Sequence, residues 1–92
     1  MNRTQLIDAV TTATGRSKAD VAAIIGATLE TVTAAVAAGD KVTVPGFGSF
    51  ERRFRKAGTA PNPRGGDPLP VAAKHVPAFK AGAAFKQAVS GA

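Results

Sequence analysis

Val44-Pro45-Gly46-Phe47-Gly48-Ser49-Phe50-Glu51-Arg52-Arg53-Phe54-Arg55-Lys56 is the stretch that decides the fold. Lys41-Val42-Thr43-Val44 alternates in polarity and reads as a short strand, and Pro45-Gly46 marks a turn. Ser49 to Lys56 then reads as a second strand. Alternate residues of a strand share a face, so Phe50, Arg52, Phe54 and Lys56 fall on one side and Ser49, Glu51, Arg53 and Arg55 on the other. The basic block Arg52–Lys56 is thereby expected to make both faces cationic. Apolar character fades after Phe54, as it must where a strand leaves a core. Residues 57 to 70 carry Pro61, Pro63, Pro68 and Pro70 with Gly58, Gly65 and Gly66. So many prolines exclude a central strand but permit an edge or ribbon. Val71 to Phe79 is the expected return strand. The segment to Gly82 is thus a two-stranded ribbon with a stiff tip and positive charge at its root.

Upstream, the chain is helical. Asn2 followed by Gln5 resembles a capping box, and Leu6, Ala9, Val10 and Ala13 recur at helical spacing along one face. Gly15 stands where a left-handed C-cap is wanted. Ser17 can cap a second helix, with Asp20 favouring its positive end. That helix carries Val21, Ile25, Thr28, Leu29, Val32 and Val36 on one stripe, widened by Ile24 and alanines, and ends at Gly39-Asp40. Downstream, Ala81 to Val89 is a short helix with Ala84, Phe85 and Val89 expected inward and Lys80 and Lys86 outward.

With 92 residues the chain is a single domain. A projecting arm leaves few residues for a core, so an obligate dimer is expected, a second copy completing what one chain cannot bury. There is no cysteine, hence no disulfide framework or thiolate metal site. No uninterrupted apolar run approaches membrane-spanning length, and the N-terminus enters a helical pattern without a signal-peptide core, so the expected compartment is the cytoplasm, with no membrane partner. Charge is split unevenly. Up to Glu51, four basic residues stand against five acidic ones, a balance of −1; from Arg52 onward eight basic residues stand against Asp67 alone, a balance of +7. An excess confined to one half suggests a polyanionic partner.

Catalytic readings find little support. His75 is the only histidine, on the return strand, where it reads as a surface or packing residue. The acidic side chains are scattered through caps and turns, so no carboxylate pair or metal cluster is suggested, and neither cofactor nor metal is expected. Gly46-Phe47-Gly48 lacks the third glycine and following helix of a phosphate loop. Of the five phenylalanines, Phe47, Phe50, Phe79 and Phe85 are assigned to a core, with Phe47, Phe50, Phe79, Leu29 and Val32 at a dimer interface. Phe54, where the ribbon exits, stays open between packing and stacking on bases. A basic ribbon can enter a DNA groove, its arginines lining phosphates or a narrow minor groove. A proline at the tip is either a turn former or a wedge that unstacks a base step.

At these residues the sequence resembles the bacterial HU/IHF family of DNA-bending proteins. The resemblance runs from Met1-Asn2-Arg3-Thr4-Gln5-Leu6-Ile7 through Gly39-Asp40-Lys41-Val42, and is strongest in Gly46-Phe47-Gly48-Ser49-Phe50, Asn62-Pro63 and Val76-Pro77-Ala78-Phe79-Lys80-Ala81-Gly82. It implies an α+β fold: an intertwined dimer of an N-terminal helix-turn-helix pair (1–40), a three-stranded antiparallel sheet (41–56 and 74–80), a protruding β-ribbon arm (57–73) and a short C-terminal helix (81–92). It implies a non-enzymatic, nucleoid-associated protein that bends double-stranded DNA through minor-groove arms, with a preference for bent, nicked or junction DNA. By the same resemblance Pro63 is the intercalating residue and Asn62 lies beside it. Arg53 and Arg55 are arm-root contacts, and Arg3, Lys80 and Lys86 touch flanking phosphates. Arg52, Lys56, Arg64 and Lys74 complete the expected DNA-binding set.

The chain departs from its family in the arm. Family arms usually carry arginine where Gly58 and Pro61 stand here, and often threonine and a basic residue where Gly65 and Asp67 stand. Between 57 and 73 this chain has only Arg64 and Asp67 as charges, so its distal arm is nearly neutral. The terminal segments look more like HU, a homodimer with little sequence preference, than like an IHF subunit with site specificity and a different partner chain. A module gripping an acidic protein and an RNA-binding role remain the alternatives.

Overall fold

The computed structural model describes residues 1–91. In chain order it contains α1 (Arg3–Thr14), α2 (Lys18–Ala37), β1 (Val42–Val44), β2 (Gly48–Arg55), β3 (Gly58–Ala60), β4 (Leu69–Val71), β5 (Lys74–Ala81) and α3 (Ala83–Ser90). The expected α+β class is therefore observed. Two compact units share the chain, Met1–Ala34 and the remainder from Ala35. The division falls inside α2, whose last residue is Ala37.

In the first unit, local hydrogen bonds define the helices. The Asn2 side chain accepts from the Gln5 N–H at 2.9 Å, and the Gln5 side chain accepts from the Asn2 N–H at 2.9 Å, a reciprocal capping box. Gly15, in the left-handed conformation, donates its N–H to Thr11 O and ends α1. Ser17 Oγ accepts from the Asp20 N–H at 3.1 Å at the start of α2, and Lys18 pairs with Asp8 at 2.8 Å. Within α2, Thr28 and Thr31 donate their hydroxyls to carbonyls one turn back, each at 2.7 Å. Their hydroxyls are thereby satisfied within the helix itself. By length and composition alone this 20-residue helix would suffice to cross a membrane, which corrects the expectation that no segment would. Counting uninterrupted apolar residues missed it, because Glu30 and the self-bonded threonines break the run without making the helix polar.

In the second unit, β1, β2 and β5 form an antiparallel sheet in the order β1-β2-β5. The turn between β1 and β2 closes with Phe47 N–H donating to Val44 O at 3.0 Å. Close backbone approach then packs α3 beside that turn: Gly82 N–H donates to Phe47 O at 2.8 Å and Phe85 N–H to Gly46 O at 3.0 Å. A Cβ on Gly82 would lie 2.8 Å from the Gly46 carbonyl, and one on Gly48 would lie 2.6 Å from Lys80 O and the Phe79 ring. Both positions therefore exclude any side chain.

The return strand differs from expectation. It is not continuous from Val71: β4 pairs with β3 in a separate two-stranded sheet, and β5 begins only at Lys74. Residues 56–57 and 72–73 lie outside strands, opposite one another, so the ribbon breaks at the same level on both sides. Pro77 is accommodated because β5 is an edge strand. The last helix begins at Ala83 with Gly82 as its N-cap, not at residue 81. Val89, expected inward, is 74% exposed, and Ala84 is exposed as well; among the described residues no other element packs over them. Ala92, included in the expected helix, lies outside the described residues.

The aromatic cluster is real but open. Phe47 meets Phe85 edge-on at 5.0 Å between ring centroids, and Phe50 meets Phe79 at 4.9 Å. Yet Phe47 and Phe79 are each 45% exposed, and among the described residues Val21, 3% exposed, is the one buried hydrophobic side chain.

Candidate nucleic-acid interface

Pairing of β2 with β5 determines which charges act together. In an antiparallel pair, residues directly opposite one another project to the same face. The register sets Ser49 opposite Lys80, Glu51 opposite Ala78, Arg53 opposite Val76 and Arg55 opposite Lys74. One face of the ribbon therefore carries Lys80, Arg53, Arg55 and Lys74. Like charges directly opposite in a sheet are destabilising, and Arg55 with Lys74 is such a pair. Glu51, the only acid on that face, offsets it weakly: its carboxylate reaches Arg53 at 3.5 Å. Such a face gains from any multivalent anion laid along it. Neither Glu51's modest role nor the Arg55–Lys74 opposition can be read before the register is known.

The other face is aromatic. Phe50 lies opposite Phe79, Arg52 opposite Pro77 and Phe54 opposite His75. Phe54 and His75 meet edge-on at 5.5 Å, and Phe54 is 61% exposed. The cation on this side, Arg52, is turned away from the ribbon. It donates to Ala37 O at 3.0 Å, at the C-terminus of α2, and its guanidinium lies on Gly39, where a Cβ would come within 3.1 Å of Nη2. A cation is favoured at that negative end of a helix. The expectation that both faces are cationic is corrected: Lys56 lies beyond the end of β2, and Arg52 is engaged by a helix end fifteen residues away in sequence.

At the far end, Asn62 organises the tip. Gly65 N–H donates to Asn62 O at 3.0 Å, Arg64 N–H donates to Asn62 Oδ1 at 3.0 Å, and Asn62 Nδ2 donates to Asp67 O at 3.3 Å. Asn, Pro and Gly stand at the first, second and fourth places of this turn, the preferences of a type I turn. Pro63 is consequently exposed on a braced loop. β3 and β4 below it pair Gly58 with Val71, Thr59 with Pro70 and Ala60 with Leu69, with no charge on either strand. The remaining expected residues, Arg3 at the start of α1 and Lys86 in α3, are exposed on their own units. Among the described residues no group of three metal-ligating side chains comes together.

A small α+β chain with a cationic ribbon face and a braced proline tip defines a class of basic, ribbon-armed binding proteins. The bacterial DNA-binding protein family model matches residues 1–90, and the chain belongs to that family. The chain is 44% identical over 90 residues to the DNA-binding protein HU of Nostoc sp., covering 98% of this chain and 96% of that one. It is 45% identical over 89 residues to the DNA-binding protein HU of Geobacillus stearothermophilus, covering 97% and 99%. Among solved structures, an HU–DNA cocrystal structure from Anabaena superposes with a TM-score of 0.91 at 44% identity, covering 98% of both chains. HU from Thermotoga maritima gives 0.69 at 37% identity, covering 97% of this chain and 98% of that one.

Proposed function

We propose that this chain is an architectural double-stranded DNA-binding protein of the HU type, which acts as a homodimer, binds with little sequence preference and stabilises bent DNA. The observation that carries the reading is the β2–β5 register, which lines Lys80, Arg53, Arg55 and Lys74 along one ribbon face below a tip that presents Pro63. Phosphates laid along that face relieve its self-repulsion and release counterions. The arm follows the minor groove, and Pro63 enters a base step as a wedge that holds a kink. Lys56 and Arg64 extend the contact along the arm, while Arg3 and Lys86 meet flanking phosphates. The mechanism needs no catalytic group, metal or cofactor. Compaction of the bacterial nucleoid in the cytoplasm follows from bending without sequence choice.

Dimerisation is supported by what one chain leaves uncovered. Phe47 and Phe79 are half open, and Ile24 and Leu29 on α2 are exposed. A second copy that covers the phenylalanines, Phe50 included, and the apolar stripe of α2, Val32 included, supplies the apolar burial that a chain of this size needs. The same copy, not lipid, covers the apolar surface of α2.

Affinity for linear, nicked and four-way-junction DNA, measured beside the oligomeric mass, tests the whole reading. A dimer that prefers nicked and junction DNA and loses affinity linearly in log–log salt plots is expected. A monomer, or binding indifferent to salt, would sink it. An RNA duplex bound as tightly as the DNA duplex would show that the ribbon reads phosphate spacing alone.

A further inference from the structure

Phe54 is the one phenylalanine that the aromatic cluster does not take in. Phe47, Phe50, Phe79 and Phe85 form that cluster, with ring centroids 4.9 to 6.5 Å apart. Among the described residues the one ring that Phe54 meets is His75, edge-on at 5.5 Å, and Phe54 is 61% exposed. His75, its cross-strand partner, is exposed too. Cross-strand pairing accounts for their contact but leaves the outer surface of both rings bare. At this level the ribbon is only two strands wide, because β1 pairs with β2 from Gly48 to Phe50 and no further. Neither edge of the ribbon is paired beside the rings. Successive residues of a strand alternate faces. Lys74 precedes His75, and Arg53 and Arg55 flank Phe54, so cations on one face stand directly behind two aromatic rings on the other. Cations that track a backbone, beside exposed rings on which bases stack, are the combination that holds single-stranded nucleic acid. A strand crossing the β5 edge can keep a phosphate on Lys74 and lay the attached base on the ring pair. A paired base cannot, because both its faces are already stacked within the duplex.

We infer that Phe54 and His75 form a stacking site for an unpaired base of single-stranded DNA, on the ribbon face opposite the one that receives the duplex. The inference rests on the DNA-binding reading above and adds a second mode to it. A strand frayed at a nick or junction is then gripped by cations on one face and by rings on the other. Charge selects this occupant. An apolar protein surface laid on the rings would leave the surrounding arginines and lysines unanswered, whereas single-stranded DNA brings both negative charge and flat apolar surface.

The chain contains no tryptophan or tyrosine, so Phe54→Trp in the full-length protein places a single fluorescent reporter at the site. Titration with single-stranded oligothymidylate is expected to quench its emission by stacking, while an intact duplex of the same length leaves it nearly unchanged. Phe54→Leu keeps an apolar side chain but removes the flat ring. It is expected to weaken oligothymidylate binding about tenfold, within the range of one stacked base, and to leave duplex affinity close to that of the parent. His75→Leu is expected to show the same selectivity with a smaller loss. Oligomeric mass and thermal unfolding are measured for each variant, and should Phe54→Leu lose its fold, the tryptophan titration decides alone. The inference is overturned if saturating oligothymidylate leaves the tryptophan emission unchanged, or if Phe54→Leu weakens single-strand and duplex binding equally. It is overturned as well if Phe54→Leu lowers the oligomeric mass without a selective loss, which would make the rings part of the contact between two copies. If the parent binds duplex DNA in the expected salt-dependent way but no single strand, this inference alone fails. If it binds neither, it is the DNA-binding reading that fails.

Discussion

The ribbon root and the ribbon tip are built on opposite principles. At the root, between Arg52 and Lys56 and between Lys74 and Lys80, cations crowd one face while phenylalanines anchor the other. At the tip, from Gly58 to Val71, Arg64 and Asp67 are the only charges and the shape comes from proline, glycine and one asparagine. Attraction for a polyanion and the stiffness that shapes it are therefore separated along a single hairpin. Ala57, Ala72 and Ala73, with Lys56, make up the break in pairing between the two parts.

The largest expected effect falls on the anchor. Phe79 touches Phe47, Phe50 and Phe85, and Phe79→Ala is expected to cost about 3–5 kcal/mol. Chemical unfolding at fixed protein concentration measures this, since stability of a dimer depends on concentration. A loss below about 1 kcal/mol would mean that the cluster stays open in the functional state.

Next comes the contrast in charge. Arg53→Ala with Arg55→Ala is expected to reduce the salt slope by about 1.8, two phosphates' worth. Arg64→Ala is expected to change it by less than one such unit. If the double root variant keeps its slope while Arg64→Ala flattens it, the division between root and tip is wrong.

Arg52 sharpens the same contrast from within the basic block. Because it donates to Ala37 O, Arg52→Ala is expected to lower stability by about 1 kcal/mol, the scale of an exposed charge-assisted cap, and to leave the slope near that of the parent. Calorimetry beside the titration separates it from Arg53, its sequence neighbour on the opposite face. The smallest effect on affinity is expected at the tip. Pro63→Ala should reduce the bend angle seen by end-to-end energy transfer, yet barely weaken binding to DNA that is already kinked. Equal loss of bending and of affinity would count against a wedge.

Much of the candidate site was legible because its signals are local. The basic block, the proline tip and the Gly46–Phe50 and Val76–Gly82 motifs are contiguous, and their meaning survives without coordinates. Arg52 was read with its neighbours because alternation along a strand assigns faces but not partners. Its true partner lies fifteen residues upstream. The break before Lys74 was missed for a related reason: Val71 to Phe79 has strand-like residues throughout, and only pairing distinguishes an arm sheet from a body sheet. The inward Val89 was a periodicity argument, and periodicity names an apolar face without saying whether anything covers it.

By itself, the sequence determined the first two helices, the caps at both ends of α1 and at the start of α2, and the presence of a turn at the proline-rich tip. Each depends on interactions within one turn of helix or a few residues of loop: Asn2 with Gln5, Gly15 with Thr11, Asn62 with Arg64. Tertiary structure alone decided the register that gathers Lys80, Arg53, Arg55 and Lys74 on one face, and the diversion of Arg52 to the end of α2. Those outcomes join residues far apart in the chain. Which of many compatible pairings is adopted depends on burial and hydrogen bonding summed over the folded unit, a quantity no local stretch of sequence contains.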